Sequence, residues 1–232
     1  LSETEYYDGS DWRLLSDTNP EATGGLISDT EIGGIDYRIH TFTNTGNTTF
    51  TVTKGGEIDY LIVAGGGAGG GGLGGGGGAG GVIIGSTTVT PQAYTITVGA
   101  GGLGDTKDAP NGGGQSGGNS IAFGLTALGG GRGGQHRETN SPVASGGSGG
   151  GAANNPNTGG TTGGAALQPS SPSGGYGHAG GSNASGGNNY NGSGGGGAGG
   201  PGETTPNNAW AGGLGGPGII SYIDGKPTVY AA

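Results

Sequence analysis

The sequence contains neither cysteine nor methionine among its 232 residues. The missing cysteine excludes a disulfide framework and any cysteine-based metal site, and leaves the compartment open. Basic residues are scarce: 7 Lys and Arg stand against 16 Asp and Glu, for a formal net charge of −9 and a pI near 4.5. Phosphate contacts need clustered Lys and Arg, so nucleic acid is not an expected partner. The triplet Arg132-Gly-Gly stands alone in an acidic chain and does not change that reading. No run approaches the roughly 20 apolar residues of a membrane span, and no signal-peptide pattern opens the chain, so membrane insertion is not expected. The start lacks methionine and falls inside strand-like sequence, which reads as a portion of something longer.

Glycine is what the chain has in excess, at 68 of 232 residues. A share near one third suggests collagen, but collagen needs glycine at every third place. In the tract 65–81 only Ala68, Leu73 and Ala79 interrupt the glycine, at spacings of five and six, so collagen is excluded. The tract is entered from Ile58-Asp-Tyr-Leu-Ile-Val-Ala64 and left into Val82-Ile-Ile-Gly-Ser-Thr-Thr-Val-Thr90, both strand-like. Glycine loses more backbone freedom on ordering than any other residue, and a flexible linker is the plain alternative. Linkers rarely join two well-formed apolar strands and then recur along the chain. The reading adopted is an extended left-handed polyglycine helix of about three residues per turn, unbonded within itself and free to bond to its neighbours.

Around this tract the chain reads as strands. Glu5-Tyr-Tyr-Asp-Gly-Ser-Asp-Trp-Arg-Leu-Leu15 has the form of a hairpin with an Asp8-Gly9 turn. Residues 19–25 read as a loop after a lead-in element. Strands follow at 36–43 and 48–53, the latter with Phe50 and Val52 on one face and Thr on the other. Residues 82–90 and 93–98 read as a hairpin around a Pro91-Gln92 turn, and 120–128 as one further strand-like run. Beyond Leu128 the large aliphatics up to Gly218 are Val143, Leu167 and Leu214, with Tyr176, Tyr190 and Trp210 as the aromatics. Six such side chains build no ordinary core at about 25 cal/mol per Å². This half is therefore disordered or held by backbone pairing, and its low charge and neat glycine blocks favour pairing. A second Asp-Gly hairpin, 218–230, closes the chain and returns it to the first strands. The expected fold is all-β: a small antiparallel β base, a polyglycine II-like lattice of packed extended glycine helices, and projecting loops. Its divisions are a lead-in hairpin and linker (1–25), a β-rich base with the first glycine tract (26–128), the lattice with its loops (129–218) and the returning hairpin (219–232).

No catalytic constellation is legible. His40 lies in a strand, His136 and His178 among glycines, and Gly147-Ser-Gly lacks the strand–turn–helix setting of a nucleophile elbow. Phosphate loops need a helix N-terminus, and nothing after the tracts reads as a helix. Asp105 and Asp108 read as a solvated turn, and the glycosylation-type triplets at Asn183 and Asn191 are expected by chance in such sequence. No enzyme, cofactor or metal is expected. The polar inserts between the glycine blocks carry the candidate binding residues: Asp105 and Lys107, then Arg132, His136 and Arg137, then Tyr176 with His178, then Tyr190 and Trp210. Aromatics set among Gly, Ser and Asn give rigid contact area with adaptable hydrogen bonds, as recognition loops do. Capping of the lattice against water is the competing role for Tyr176, Tyr190 and Trp210.

The order Tyr37-Arg-Ile-His-Thr-Phe-Thr43, Thr49-Phe-Thr-Val-Thr53, Ile58-Asp-Tyr-Leu-Ile-Val-Ala-Gly-Gly-Gly67, Gly77-Gly-Ala-Gly-Gly-Val82 and Tyr94-Thr-Ile-Thr-Val-Gly-Ala-Gly-Gly102 resembles the glycine-rich domain of bacteriophage tail-fibre and tip-adhesin proteins. Asn119-Ser-Ile-Ala-Phe-Gly-Leu-Thr-Ala-Leu-Gly-Gly-Gly131 and Tyr6-Tyr-Asp-Gly-Ser-Asp-Trp12 continue the likeness. The resemblance implies a layered polyglycine lattice whose variable loops contact a host cell-surface receptor, protein or glycan, on a virion outside the cell. Other fibre or virion subunits are the expected partners, with a homo-oligomer such as a trimer among the arrangements. It assigns no individual receptor-binding residue. The competing expectation is structural: a decoration, fibre or surface-filament subunit whose glycine tracts serve assembly.

Overall fold

The structure of the chain, a computed structural model, describes residues 5–7, 9–10, 12–14, 19–104, 114–136, 143–154, 161–183, 191–206 and 211–232. Among them there is no helix; every regular element is a β-strand. The lead-in hairpin pairs β1 (Glu5–Tyr7) with β2 (Trp12–Leu14), with Gly9 at φ 101° in the turn between them. A five-stranded sheet orders its strands β11 (Leu125–Ala127), β10 (Ser120–Ala122), β9 (Gln92–Val98), β6 (Gly46–Lys54) and β3 (Glu21–Thr23). Three two-stranded ribbons accompany it: β4 (Leu26–Ile32) with β5 (Ile35–Thr41), β7 (Gly56–Val63) with β8 (Val82–Val89), and β12 (Ile219–Ser221) with β13 (Thr228–Tyr230).

The alternation Phe50, Val52 is the inward face of β6, and both residues are buried together with Ile62, Ile83, Val89 and Ile96 in one apolar core. Phe50 is the hub: His40, Phe42 and Phe123 stand edge-on to it with ring centroids 5.2, 6.2 and 6.1 Å away. The closing ribbon turns at Asp224-Gly225, with Gly225 at φ 78°, and this turn lies against Ile32 and Thr30. The chain thus returns to its first strands, as the apolar ends of the sequence require.

Four features differ from the sequence reading. Residues 21–23 are not loop but an edge strand, because β6 extends to Lys54 and offers donors and acceptors that β3 takes up. β4 has no expected counterpart; its two-residue turn, Gly33-Gly34, sits between arms with weak alternation. β8 pairs with β7 and not with β9, so residues 82–98 are not a hairpin. The tract 65–81 explains this: it leaves β7 and comes straight back beside it, so that Val82 faces Val63. Finally, 120–128 is two strands folded at Phe123-Gly124, with φ values of 53° and 77°. A left-handed Phe is unfavourable, and here its ring is held by Tyr94, 5.5 Å away, and by Phe50.

The remaining described chain consists of extended glycine-rich segments that run between the sheets and the opposite end of the molecule. Segments 64–71, 99–104, 128–136, 146–154, 176–183 and 201–206 lead away from the sheets; 74–81, 114–119, 161–168, 191–198 and 211–218 lead back. They are bonded to one another by their backbones. In 128–136 the donors rotate: Gly130 and Gly133 donate to Gly65 and Ala68, Gly131 and Gly134 donate to Ser148 and Gly151, and Gly129 and Arg132 donate to the side chains of Asn119 and Ser116. The same rotation recurs in 146–154, where Ser148 and Gly151 donate to Ala79 and Gly76 while Gly149 and Ala152 donate to His178 and Gly181. Side chains are absent because there is no room: a methyl built on Gly67, Gly78, Gly149 or Gly195 would fall within 3.0 Å of a neighbouring backbone. Alanine is admitted at a few buried places, with Ala152 and Ala198 at 0 % exposure.

Candidate functional site

Beyond Gly104, the segments place the described residues that flank each of the stretches 105–113, 137–142, 155–160, 184–190 and 207–210 at the end of the molecule away from the sheets. Two sets of bonds fix this. At the sheet end, Val82 and Tyr176 exchange backbone bonds of 3.1 and 2.8 Å, and Ala198 donates to Ala231. At the far end, Asn154 donates to Leu73, His136 donates to Gly71, and Asn183 donates to Thr161. Gly104 and Gly114, His136 and Val143, Asn154 and Thr161, Asn183 and Asn191, and Pro206 and Ala211 are therefore the points where the chain leaves and rejoins the far end. The first tract turns there within the described residues, at Gly72 with φ 67°.

Polar side chains concentrate where the glycine runs stop at this end. The Nδ1 of His136 donates to the Asn154 carbonyl at 3.1 Å, since a carbonyl can only accept. Thr161 Oγ1 donates to Ala153 O at 2.7 Å. Asn183 Nδ2 donates to Asn191 O at 3.0 Å, and Asn191 Nδ2 donates to Ala211 O at 2.8 Å. One rung inward, Ser193 Oγ donates to Ser182 O and lies 2.8 Å from Thr205 Oγ1. Asn154, Asn183, Asn191, Ser193 and Thr205 are all buried. Buried amides and hydroxyls are costly unless bonded; the side chains of Asn183, Asn191 and Ser193 donate to carbonyls of neighbouring segments and Thr205 bonds the Ser193 hydroxyl, so these four act as stitches.

The residues singled out from the sequence are dispersed. Asp105, Lys107, Arg137, Tyr190 and Trp210 lie outside the described residues. His136 is at the far end. Arg132 is partway along its segment, its N–H donating to Ser116 Oγ at 3.2 Å and its carbonyl accepting from Ala144. Tyr176 is at the sheet end beside Val82 and is 49 % exposed. His178 follows it, half-buried, with Nδ1 donating to Gly197 O at 3.3 Å. Tyr176 and His178 thus stand apart from the far end and from His136. Sequence reasoning gave the stitching residues no such role; Asn183 closely follows a glycine pair, Ser193 sits inside a glycine run and Thr205 follows Glu203-Thr204.

Among the described residues no three His, Cys, Asp or Glu side chains gather as metal ligands, and no helix is long and apolar enough to cross a membrane. An open notch of about 340 Å³ lies at the sheet end, lined by residues that include Thr87, Thr88, Tyr94, Thr95 and Phe123. The described polar side chains at the far end include buried amides and hydroxyls together with the His136 imidazole. Compared with known protein families, residues 43–227 match the family described as a glycine-rich domain. Comparison with curated proteins returned no match, and comparison with solved structures returned none either.

Proposed function

The chain belongs to the glycine-rich domain family, and from that premise we propose that it is a non-enzymatic recognition domain of a phage tail fibre or adhesin. The glycine segments act as polyglycine II-type helices: a threefold rotation of donors among neighbours, with no bonds inside a segment, is what three residues per turn gives. This lattice is a rigid stalk, and the segments between its far-end anchor points contact a host cell-surface receptor. The observation that carries the reading is the gathering of every such anchor pair at one end, opposite the sheets. Scattered connections would suit a filler or linker; gathered ones suit a contact surface on a scaffold. The sequences between the anchors hold Asp105, Lys107, Arg137, Tyr190 and Trp210, and His136 stands beside them. The setting is the virion exterior.

Purified protein should adhere to host cells. Replacing residues 137–142 with glycine-serine filler should reduce adhesion at least tenfold while the unfolding midpoint stays put. Unchanged adhesion after replacement of this and each of the other inserts would overturn the reading.

A structural role in assembly is the second reading, and one observation favours it. On the β4–β5 ribbon Leu26, Ile35 and Tyr37 share a face and are 75, 59 and 39 % exposed, and Ile220, Tyr222 and Val229 are exposed on the closing ribbon. Two-stranded ribbons are marginal alone in water. Attachment to other fibre subunits, or a homo-oligomer such as a trimer, would cover this end while the far end stays free. A sedimentation measurement that finds only monomer at high concentration would remove the homo-oligomer.

A further inference from the structure

We propose that the outer edge of β5 pairs antiparallel with the same edge of a second copy of the chain, about a twofold axis at Tyr37. The inference rests on the assembly reading above and names its strand, its partner and its register; it does not depend on receptor binding. Alternate residues of an antiparallel strand turn their N–H and C=O to the neighbour, and a two-residue turn makes the residues that flank it a bonded pair. Gly33-Gly34 is such a turn between Ile32 and Ile35. Ile35, Tyr37 and Ile39 therefore bond β4, while Asp36 and Arg38 aim their backbone groups outward. Among the described residues β4 is the only strand paired with β5, and no backbone bond reaches Asp36 or Arg38 from the other side.

Charge selects both the occupant and the register. Centring the pairing on Asp36 sets carboxylate on carboxylate, and centring it on Arg38 sets guanidinium on guanidinium, both unfavourable. Centring it on Tyr37 sets Asp36 of each copy against Arg38 of the other, twice, with Ile35 against Ile39. The ribbon has a use for that cation, because Glu31 stands directly opposite Asp36 as a like charge. Arg38 has the capacity to supply it. Its Nε and Nη2 donate to the Asp29 carboxylate at 2.8 and 3.3 Å, which leaves Nη1 for a second carboxylate. On the opposite face of the ribbon the same pairing brings the two Tyr37 rings together and covers Ile35, both exposed in the single chain. The outer edge of β4 carries Asp29 and Glu31, two carboxylates of one sign, and such charges guard an edge against pairing with itself. The product is a four-stranded sheet in place of two separate ribbons.

Sedimentation of the intact chain over a wide range of concentration tests this, with the parent protein expected to be a reversible dimer. Asp36→Arg and Arg38→Asp each set like charges together at both ends of the pairing and should weaken association by roughly tenfold or more. Both side chains are exposed, so each variant should keep the parent's unfolding midpoint. An equimolar mixture of the two variants should dimerise again, since every charged pair across the mixed edge is then of opposite sign. A parent that stays monomeric would overturn the pairing and leave the recognition reading intact. A dimer that survives both substitutions, or a mixture that stays monomeric, would remove β5 as the contact. A trimer or larger species would overturn the twofold arrangement while leaving assembly itself in place.

Discussion

Phe50 and Gly131 are both ordered and both deep in the molecule, but different forces hold them. Phe50 is fixed by the rings of His40, Phe42 and Phe123 and by the apolar core of the sheets. Gly131 has no side chain to bury; its N–H donates to Ser148 at 2.9 Å and its carbonyl accepts from Gly78 at 2.8 Å. In the sheets, affinity between elements scales with apolar area, and the exact residue matters less than its volume. In the glycine segments each link is a backbone bond of modest net worth, and the chain gains by making them on several sides at once. The two regions should therefore tolerate opposite substitutions. A core position accepts another apolar residue of similar size, while an inner glycine accepts none, and an outer glycine accepts almost any small residue.

The largest effect should come from the sheet region. Phe50→Ala removes the hub of the aromatic cluster and should lower unfolding stability by about 4 kcal/mol, read from chemical denaturation. A loss under about 1 kcal/mol would mean the sheets too are held chiefly by their backbones. Gly196→Val is the matching change in the lattice, since its Cβ would fall within 3.0 Å of the Ala179 carbonyl. It should cost about 3 kcal/mol, and a neutral result would remove close packing as the reason for glycine. Gln168→Ala probes the joint between the regions. That side chain is at 0 % exposure, its Oε1 accepts from Leu128 N at 2.6 Å, and its Nε2 donates to Gly174 O and Ser171 Oγ. Loss of about 2 kcal/mol is expected, and no loss would make the joint dispensable. The smallest effect should be at Gly66, where a built Cβ finds nothing nearer than Gly78 O at 3.7 Å. Gly66→Ala should stay within about 0.5 kcal/mol of the parent, aided by a less flexible unfolded chain. If it matched Gly196→Val, the distinction between inner and outer glycines would fail.

The same contrast explains how far the sequence could be read. Side-chain logic was legible where side chains decide: the Phe50/Val52 alternation gave β6, and Asp8-Gly9 and Asp224-Gly225 gave their turns. It failed where backbone geometry decides. Nothing in a run of glycines says where it doubles back, so the turn at Gly72 was hidden, and with it the pairing of β7 with β8. Phe123 carries no turn signal; its left-handed conformation is selected by the aromatic cluster it completes, which only the folded chain reveals. His136, taken from the sequence as part of a polar insert, lies at the far end, where its ring bonds the Asn154 carbonyl. Tyr176 and His178 were drawn in by residue type, although their segment begins at the sheet end. In the sequence Asn183 and Asn191 read only as chance glycosylation-type triplets and Ser193 is not singled out, because nothing there shows which neighbouring segment's carbonyl each side chain meets.

The central claim is that backbone pairing orders the glycine half as firmly as side chains order the sheets. Amide hydrogen exchange at Gly131, Gly149 and Gly181, each of which donates to a neighbouring segment, tests it directly. Protection comparable to that of the amides of β6 and β9 is the expected result. Exchange at the rate of an unfolded peptide, with β6 and β9 still protected, would contradict the account.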